Sequence, residues 1–139
     1  MQQEEVVREV AIVEDDEAVR NHLAQIINRD PQLGVAASFE TVADTLAWLQ
    51  HNKADVMLVD LDLPDGSGID VIRAARARSI ECMVITVFAD ERHVSAAIRA
   101  GATGYLLKDC DDAGIVAAIM QLLQGQSPIS PGIARHILN

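Results

Sequence analysis

Five times along this chain an unbroken apolar run is followed by a stretch with helical spacing, and few folds accommodate that alternation. The runs are "EVAIVED" at 9–15, "GVAASF" at 34–39, "DVMLVD" at 55–60, "CMVITV" at 82–87 and "TGYLLK" at 103–108. The first leads into Val19, Leu23, Ile26 and Ile27 on one helix face. After the second, the Thr41 hydroxyl is placed to cap a helix carrying Val42, Leu46 and Leu49, with Asp44 at its third position. Ser67 caps Ile69, Ile72 and Ala75; Asp90 caps Val94, Ala97 and Ile98, with Gly101 as the stop. Asp109 then precedes a helix through Ile115, Ile119, Leu122 and Leu123 that ends at Gly125. Strands that read as continuous rather than alternating apolar runs are parallel strands buried on both faces. The expectation is an α/β protein, a doubly wound five-stranded parallel sheet with helices on both faces.

A length of 139 residues fits one such domain, spanning 1–125. Only four residues are aromatic, so aliphatic side chains must fill the core. The tail "GQSPISPGIARHILN" reads as a linker over 126–139 with a new helix opening at Ser130-Pro131, Pro being well placed at a first helical position. The formal net charge of −10 and the lack of any basic run argue against nucleic-acid binding by these residues. The longest apolar stretch, 113–123, is too short for a bilayer, so no membrane partner is expected. No basic-then-apolar leader marks secretion, and Cys82 and Cys110 form no metal or redox motif. They read as packing residues of a protein in the reduced cytoplasm.

The chemistry gathers where strands end. In open α/β sheets ligands bind outside the carboxyl ends of the strands. The first strand ends in Glu14-Asp15-Asp16, the third in Asp60, the fifth in Lys108. With the first and third strands as neighbours, Glu14, Asp15 and Asp60 share one pocket. Three carboxylates so close repel one another unless a cation neutralises them, and oxygen donors without His or Cys favour Mg²⁺. Lys108, one of only two lysines, supplies a compact counter-charge for a phosphate, and Thr86 a hydroxyl. Asp60 is then a carboxylate nucleophile open to phosphorylation. Singly, each has an ordinary explanation: Asp60 as a turn residue, Glu14-Asp15-Asp16 as a charged helix start, Lys108 as a surface lysine, Asp65-Gly66 as a turn. Their joint placement, in order and all at carboxyl ends, is what favours chemistry.

"VAIVEDDEAVR", "VDLDLPDGSG", "ITVF" and "GATGYLLKD" resemble the receiver domain of bacterial response regulators over about residues 8–125. "GATGYLLKD" with the trailing "GQSPISPGIARHIL" is similar to the LuxR/NarL-type subgroup. That resemblance implies a flavodoxin-like strand order of 2-1-3-4-5, with Asp60 as phosphoacceptor and Glu14 and Asp15 as the acid pair holding Mg²⁺. It places Asp62 where a backbone carbonyl reaches the metal, Thr86 at the switch hydroxyl, Tyr105 at the switch aromatic and Lys108 at the family's lysine. The implied partner is a sensor histidine kinase. The implied output runs through the face of the fourth helix, fifth strand and fifth helix. There Tyr105 is expected to exchange an exposed rotamer for a packed one, altering homodimerisation or a helix-turn-helix DNA-binding domain beyond residue 139. Three residues depart from the pattern: Asp109 replaces a frequent Pro, Glu14 a frequent Asp, and Val87 a frequent Ala or Gly.

Two rivals carry different chemistry. "VDLDLP" contains the D-x-D of haloacid-dehalogenase-type phosphatases, with Asp62 as general acid, but that motif belongs on a first strand and Pro64 stands at its Thr position. An interaction domain of the same fold that works without phosphorylation would not need Glu14, Asp15, Asp60, Thr86 and Lys108 together. A flavodoxin-like cofactor domain is disfavoured by acids in the first loop, where a phosphate-cradling loop would be needed.

Overall fold

In the computed structural model, which describes residues 6–131 and 133, the five apolar runs form one parallel sheet. The elements are β1 (Arg8–Val13), α1 (Glu17–Arg29), β2 (Leu33–Phe39), α2 (Val42–Leu49), β3 (Val56–Val59), β4 (Asp62–Leu63), β5 (Gly66–Ser67), α3 (Gly68–Ala77), β6 (Glu81–Thr86), α4 (Glu91–Ala100), β7 (Gly104–Leu107) and α5 (Asp112–Leu123). The sheet order is β2-β1-β3-β6-β7, which is the expected 2-1-3-4-5 order of the five main strands. The two-residue strands β4 and β5 were not foreseen; they pair antiparallel as a small hairpin between β3 and α3. Among the described residues no helix is long and apolar enough to cross a membrane.

Alternate strand residues feed two cores. Val10, Ile12, Val56, Leu58, Met83, Ile85 and Leu106 face α1 and α5, meeting Leu23, Ile26, Ile27, Ile115 and Ile119. Ala11, Val13, Met57, Val59, Cys82, Val84 and Tyr105 face α2, α3 and α4. Val56 to Val59 are thus buried on both sides, which is why β3 is apolar without alternation. Cys82 lies fully in the second core, and burial pushes its thiol up to about 12, as suits an inert packing residue.

Helix starts follow the sequence closely. Asp16, Thr41, Ser67, Asp90 and Asp111 are the N-caps, each accepting a backbone N–H from two or three residues on. The last helix is capped by Asp111, two residues after Asp109. Gly101 ends α4 in a left-handed conformation, φ +118°, which its lack of a Cβ permits. The segment after α5 is not free of the sheet: Tyr105 and Ile129 form a parallel bridge. Residues 131 and 133 are helical, as expected from Ser130-Pro131, and the continuation of that helix lies outside the described residues.

The turn of the β4–β5 hairpin has a structural task. Asp65 accepts from the Val42 N–H at 2.8 Å and the Ala43 N–H at 3.0 Å, while Thr41 Oγ1 takes the Asp44 N–H at 3.1 Å. The first three donors of α2 are thereby satisfied, two of them by a residue 22 or more positions away. Those bonds hold the Asp65 carboxyl below its ordinary range. A lowered carboxyl pKa contributes stability above the unfolded value of 3.8 that is lost as pH falls through the folded value. Asp65→Ala is accordingly expected to lower the melting temperature at pH 7, and the deficit relative to wild type should shrink in acid below pH 3.8. Thermal melts of both proteins across that range check it.

Candidate functional site

The carboxyl ends of β1, β3, β6 and β7 lie side by side, so the residues just beyond them converge. Ladder hydrogen bonds continue past the strands: Glu14 N–H to Phe39 O at 2.9 Å, Asp60 N–H to Val13 O at 2.9 Å, and Lys108 N–H to Thr86 O at 2.8 Å. These bonds fix the backbone from which each side chain departs. Glu14 is 2% exposed and Asp60 7% exposed, an uncommon burial for carboxylates. Lys108 Nζ lies 2.5 Å from Glu14 Oε1 and 2.9 Å from Asp60 Oδ2, so one ammonium donates to both. Asp15, exposed, completes a set in which one carboxylate oxygen from each acid lies within 4.8 Å of the others.

Electrostatics follow from this packing. Burial pushes the Glu14 carboxyl up to about 7; the hydrogen bond from Lys108 opposes that rise and the charge of Asp60 adds to it. Burial works against the Lys108 charge, but its hydrogen bonds to Glu14 and Asp60 outweigh burial and raise its pKa. Three acids and one fixed cation leave net negative charge in a partly buried cleft. The donor set is all carboxylate oxygen, with no imidazole or thiolate among the clustered groups. That chemistry fits a hard divalent cation such as Mg²⁺.

The other expected residues fall into place unevenly. Thr86 is fully buried at the end of β6, and its Oγ1 accepts the Phe88 N–H at 3.5 Å. Tyr105 is 1% exposed: it holds the packed rotamer, its hydroxyl donating to Phe88 O at 2.7 Å. The Asp62 carboxylate is on the exposed side of β4 and outside the acid cluster, so only its main-chain carbonyl remains available for the role expected of it. Val87 is 68% exposed, with its bulk turned to solvent. No described peptide bond is cis, the Lys108–Asp109 bond included.

Three supporting residues escaped the sequence. Arg20 Nη1 donates to Glu14 O at 2.9 Å and to Asp15 O at 3.4 Å, and its guanidinium pairs with Glu40 at 3.7 Å, clamping the acid loop from below. Gly68 lies against the phosphoacceptor candidate's backbone: a Cβ there would sit 2.2 Å from Asp60 O and 2.8 Å from a Val59 methyl. Phe88 joins the Thr86 and Tyr105 hydroxyls through its backbone and stacks its ring on His93, 4.2 Å between centroids and 3° from parallel. Arg20, Gly68 and Phe88 all stood inside quoted motifs but without an assigned part, and the contacts of Arg20, five or more positions away, leave no local signature.

A family model for the response regulator receiver domain matches residues 10–120. The chain belongs to that receiver family. It is 32% identical over 120 residues to the DNA-binding transcriptional activator DevR/DosR of Mycobacterium tuberculosis, covering 85% of this chain and 55% of that protein. It is 30% identical to the transcriptional regulatory protein UhpA of Salmonella typhimurium, covering 90% of this chain and 63% of that one. The chain thus spans roughly half to two thirds of these relatives. A LuxR-family two-component response regulator from Aurantimonas sp. superposes with a TM-score of 0.88 at 28% identity, covering 95% of this chain and 96% of the other. The receiver of the LuxR/NarL type expected from the motifs is thereby shown, and the doubly wound fold with it.

Because Mg²⁺ takes the carboxylate and not the acid, a Mg²⁺ ion held by this cluster would have to displace a proton from Glu14 below the raised pKa. With that pKa at about 7, apparent Mg²⁺ affinity is expected to be about tenfold weaker at pH 6 than at pH 8. Before metal is added, the same shift makes stability fall as pH rises from 4.5 to about 7. Asp60→Asn removes the neighbouring charge and should move the Glu14 midpoint downward. Carboxyl NMR titrations with and without Mg²⁺ check all three; a Glu14 midpoint near 4.5 in wild type contradicts them.

Proposed function

We propose that this receiver is a phosphorylation-activated switch of a two-component system, in which Asp60 takes a phosphoryl group from the phosphohistidine of a sensor histidine kinase. The observation that carries the reading is the single Lys108 ammonium shared by two buried carboxylates, Glu14 and Asp60. One Asp60 oxygen attacks phosphorus as the P–N bond to the kinase histidine breaks, leaving an acyl phosphate. The transition state is loose, with negative charge on the equatorial oxygens, so positioning and charge neutralisation dominate. Mg²⁺, held by Glu14, Asp15 and Asp60 with the Asp62 carbonyl, would supply part of that neutralisation when bound. Lys108 supplies another part by transferring a hydrogen bond from Asp60 to the incoming phosphoryl group. Thr86, buried beside it, offers its hydroxyl to a third oxygen. Hydrolysis of the acyl phosphate resets the switch.

The rivals lose ground on geometry. A haloacid-dehalogenase-type general acid would have to be Asp62, whose carboxylate stands outside the acid cluster. For an interaction domain that ignores phosphorylation, burying Glu14 and Asp60 around one lysine is an unexplained expense. The relatives named as transcription regulators support a wider reading: homodimerisation and control of transcription through a DNA-binding unit outside this stretch, in the cytoplasm. RcsB, of the same fold at 21% identity, has been seen as dimers on DNA.

Lys108→Ala separates the parts of this scheme. Mg²⁺ affinity should stay intact or tighten, since a competing cation has gone. Phosphorylation of Asp60, or the change that follows it, should weaken by about a hundredfold, the usual loss when one preorganised donor to a charged transition state is removed. Phosphoprotein gel-shift kinetics with a small-molecule phosphodonor, run beside Asp60→Asn as the blank, provide the measurement. Wild-type labelling and wild-type conformational response in Lys108→Ala would remove Lys108 from the site.

A further inference from the structure

The segment after α5 does more than leave the domain. β7 is the last strand of the sheet, so its outer edge would present unpaired N–H and C=O groups. The tail takes them up. Tyr105 N–H donates to Pro128 O at 2.9 Å, Ser130 N–H donates to Tyr105 O at 3.0 Å, and Leu107 N–H donates to Ser130 Oγ at 3.1 Å. Ile133, 0% exposed, then enters the same packed cluster as the Tyr105 ring, Val94, Ala97 and Ala102. Four residues after the bridge at Ile129, the chain has returned to the core.

Tyr105 is therefore held at both ends. Its backbone carries the tail, while its hydroxyl carries the β6–α4 loop through Phe88, whose N–H meets Thr86 Oγ1. Withdrawing Ile133 would open a void in the packed cluster to which Tyr105 belongs, and would loosen the tail that is hydrogen-bonded to the Tyr105 backbone. We infer that Pro128–Ser130, with Ile133, is a docking element for the β7 edge that stabilises the inward state of Tyr105, so that tail docking and phosphorylation of Asp60 favour the same state of the receiver. The inference rests on the proposed role of Asp60 for the phosphorylation half and on the tail contacts alone for the docking half. Two events that favour one state are coupled, and the coupling is reciprocal: phosphorylation tightens the tail, and the docked tail strengthens phosphoryl binding. The tail is then the part of this chain through which the switch is read by whatever follows it.

Residue-resolved amide exchange on the full chain tests both halves. In wild type, the Tyr105 and Leu107 amides should be protected, and Mg²⁺ with beryllofluoride should protect them further. The Lys108 amide, bonded to Thr86 O inside the sheet, serves as the internal reference. Ile133→Asp should expose the Tyr105 and Leu107 amides while leaving Lys108 protected, and should weaken beryllofluoride binding by about tenfold, within the usual range of such couplings. Ser130→Ala, which removes only the acceptor for Leu107, should act the same way more weakly and decides the matter if Ile133→Asp does not fold. Unprotected Tyr105 and Leu107 amides in wild type, or beryllofluoride affinity unchanged in folded variants, would overturn the inference. Failure of wild type to bind beryllofluoride at Asp60 would instead overturn the proposed function, with the docking contacts still judged by exchange.

Discussion

One ammonium between two buried carboxylates is the contact on which the rest of this molecule depends. Glu14 and Asp60 come from different strands, and carboxylates buried in one cleft call for compensation nearby. Lys108 provides it from a third strand, so the pair of ion contacts ties β1, β3 and β7 together at one end. The compensation is incomplete by design of the charge count, since Asp15 adds a third acid to the same few ångströms. A divalent cation would relieve that excess, as the proposed phosphoryl transfer requires.

That arrangement requires the fold it is found in. Parallel strands bring several carboxyl ends to one edge, which an antiparallel sheet with hairpins would not do. The parallel register pairs Val13 with Val59 and Val59 with Val84, so the residues immediately beyond β1 and β3 emerge level with one another. The burial of β3 on both faces keeps Asp60 from sliding along its neighbours, because a shift in register would draw Asp55 or Asp60 into the apolar stretch held by Val56 to Val59. Aliphatic side chains suffice for this, and the scarcity of aromatic residues leaves the few present free for other tasks: Phe88 and Tyr105 both serve the β6–α4 loop.

How much of this could be read from the residues depends on the distance over which each effect acts. Caps and apolar runs are local, and Asp16, Thr41, Ser67, Asp90 and Gly101 lie where their neighbours demand. The acid cluster with Lys108 was also legible, because strand ends in a parallel sheet are forced together once the order is known. What stayed hidden acts between segments remote in sequence. Asp65 looks like half of a turn and is the cap of a helix that precedes it; Arg20 looks like a surface residue and holds the carbonyls of the acid loop. The tail reads as a linker because Ser, Pro and Gly punctuate it, yet its backbone completes a sheet edge. Neither hydropathy nor spacing distinguishes a linker from an edge segment when the hydrogen bonds are made by main chain. Tyr105, expected to exchange an exposed rotamer for a packed one, is found packed, with its hydroxyl bonded to Phe88 O.

The braces are unequally distributed, and this asymmetry decides which part of the receiver can move. On the side of β1 and β3, Arg20 grips the acid loop, Asp65 pins the hairpin to α2, and Gly68 lets α3 press against the Asp60 carbonyl with no room for a methyl group. Those contacts are charged, multiple or sterically tight, so Asp60 is a fixed point. On the side of β6, the loop from Val87 to Asp90 is held by a long 3.5 Å bond to Thr86, by the Tyr105 hydroxyl and by the Phe88–His93 stack. Each of these is single and breakable at modest cost. In the proposed switch, a charge added to the braced Asp60 would be answered by the looser wall, and the contacts that lead away from that wall run through Phe88 to Tyr105 and from the Tyr105 backbone to the tail.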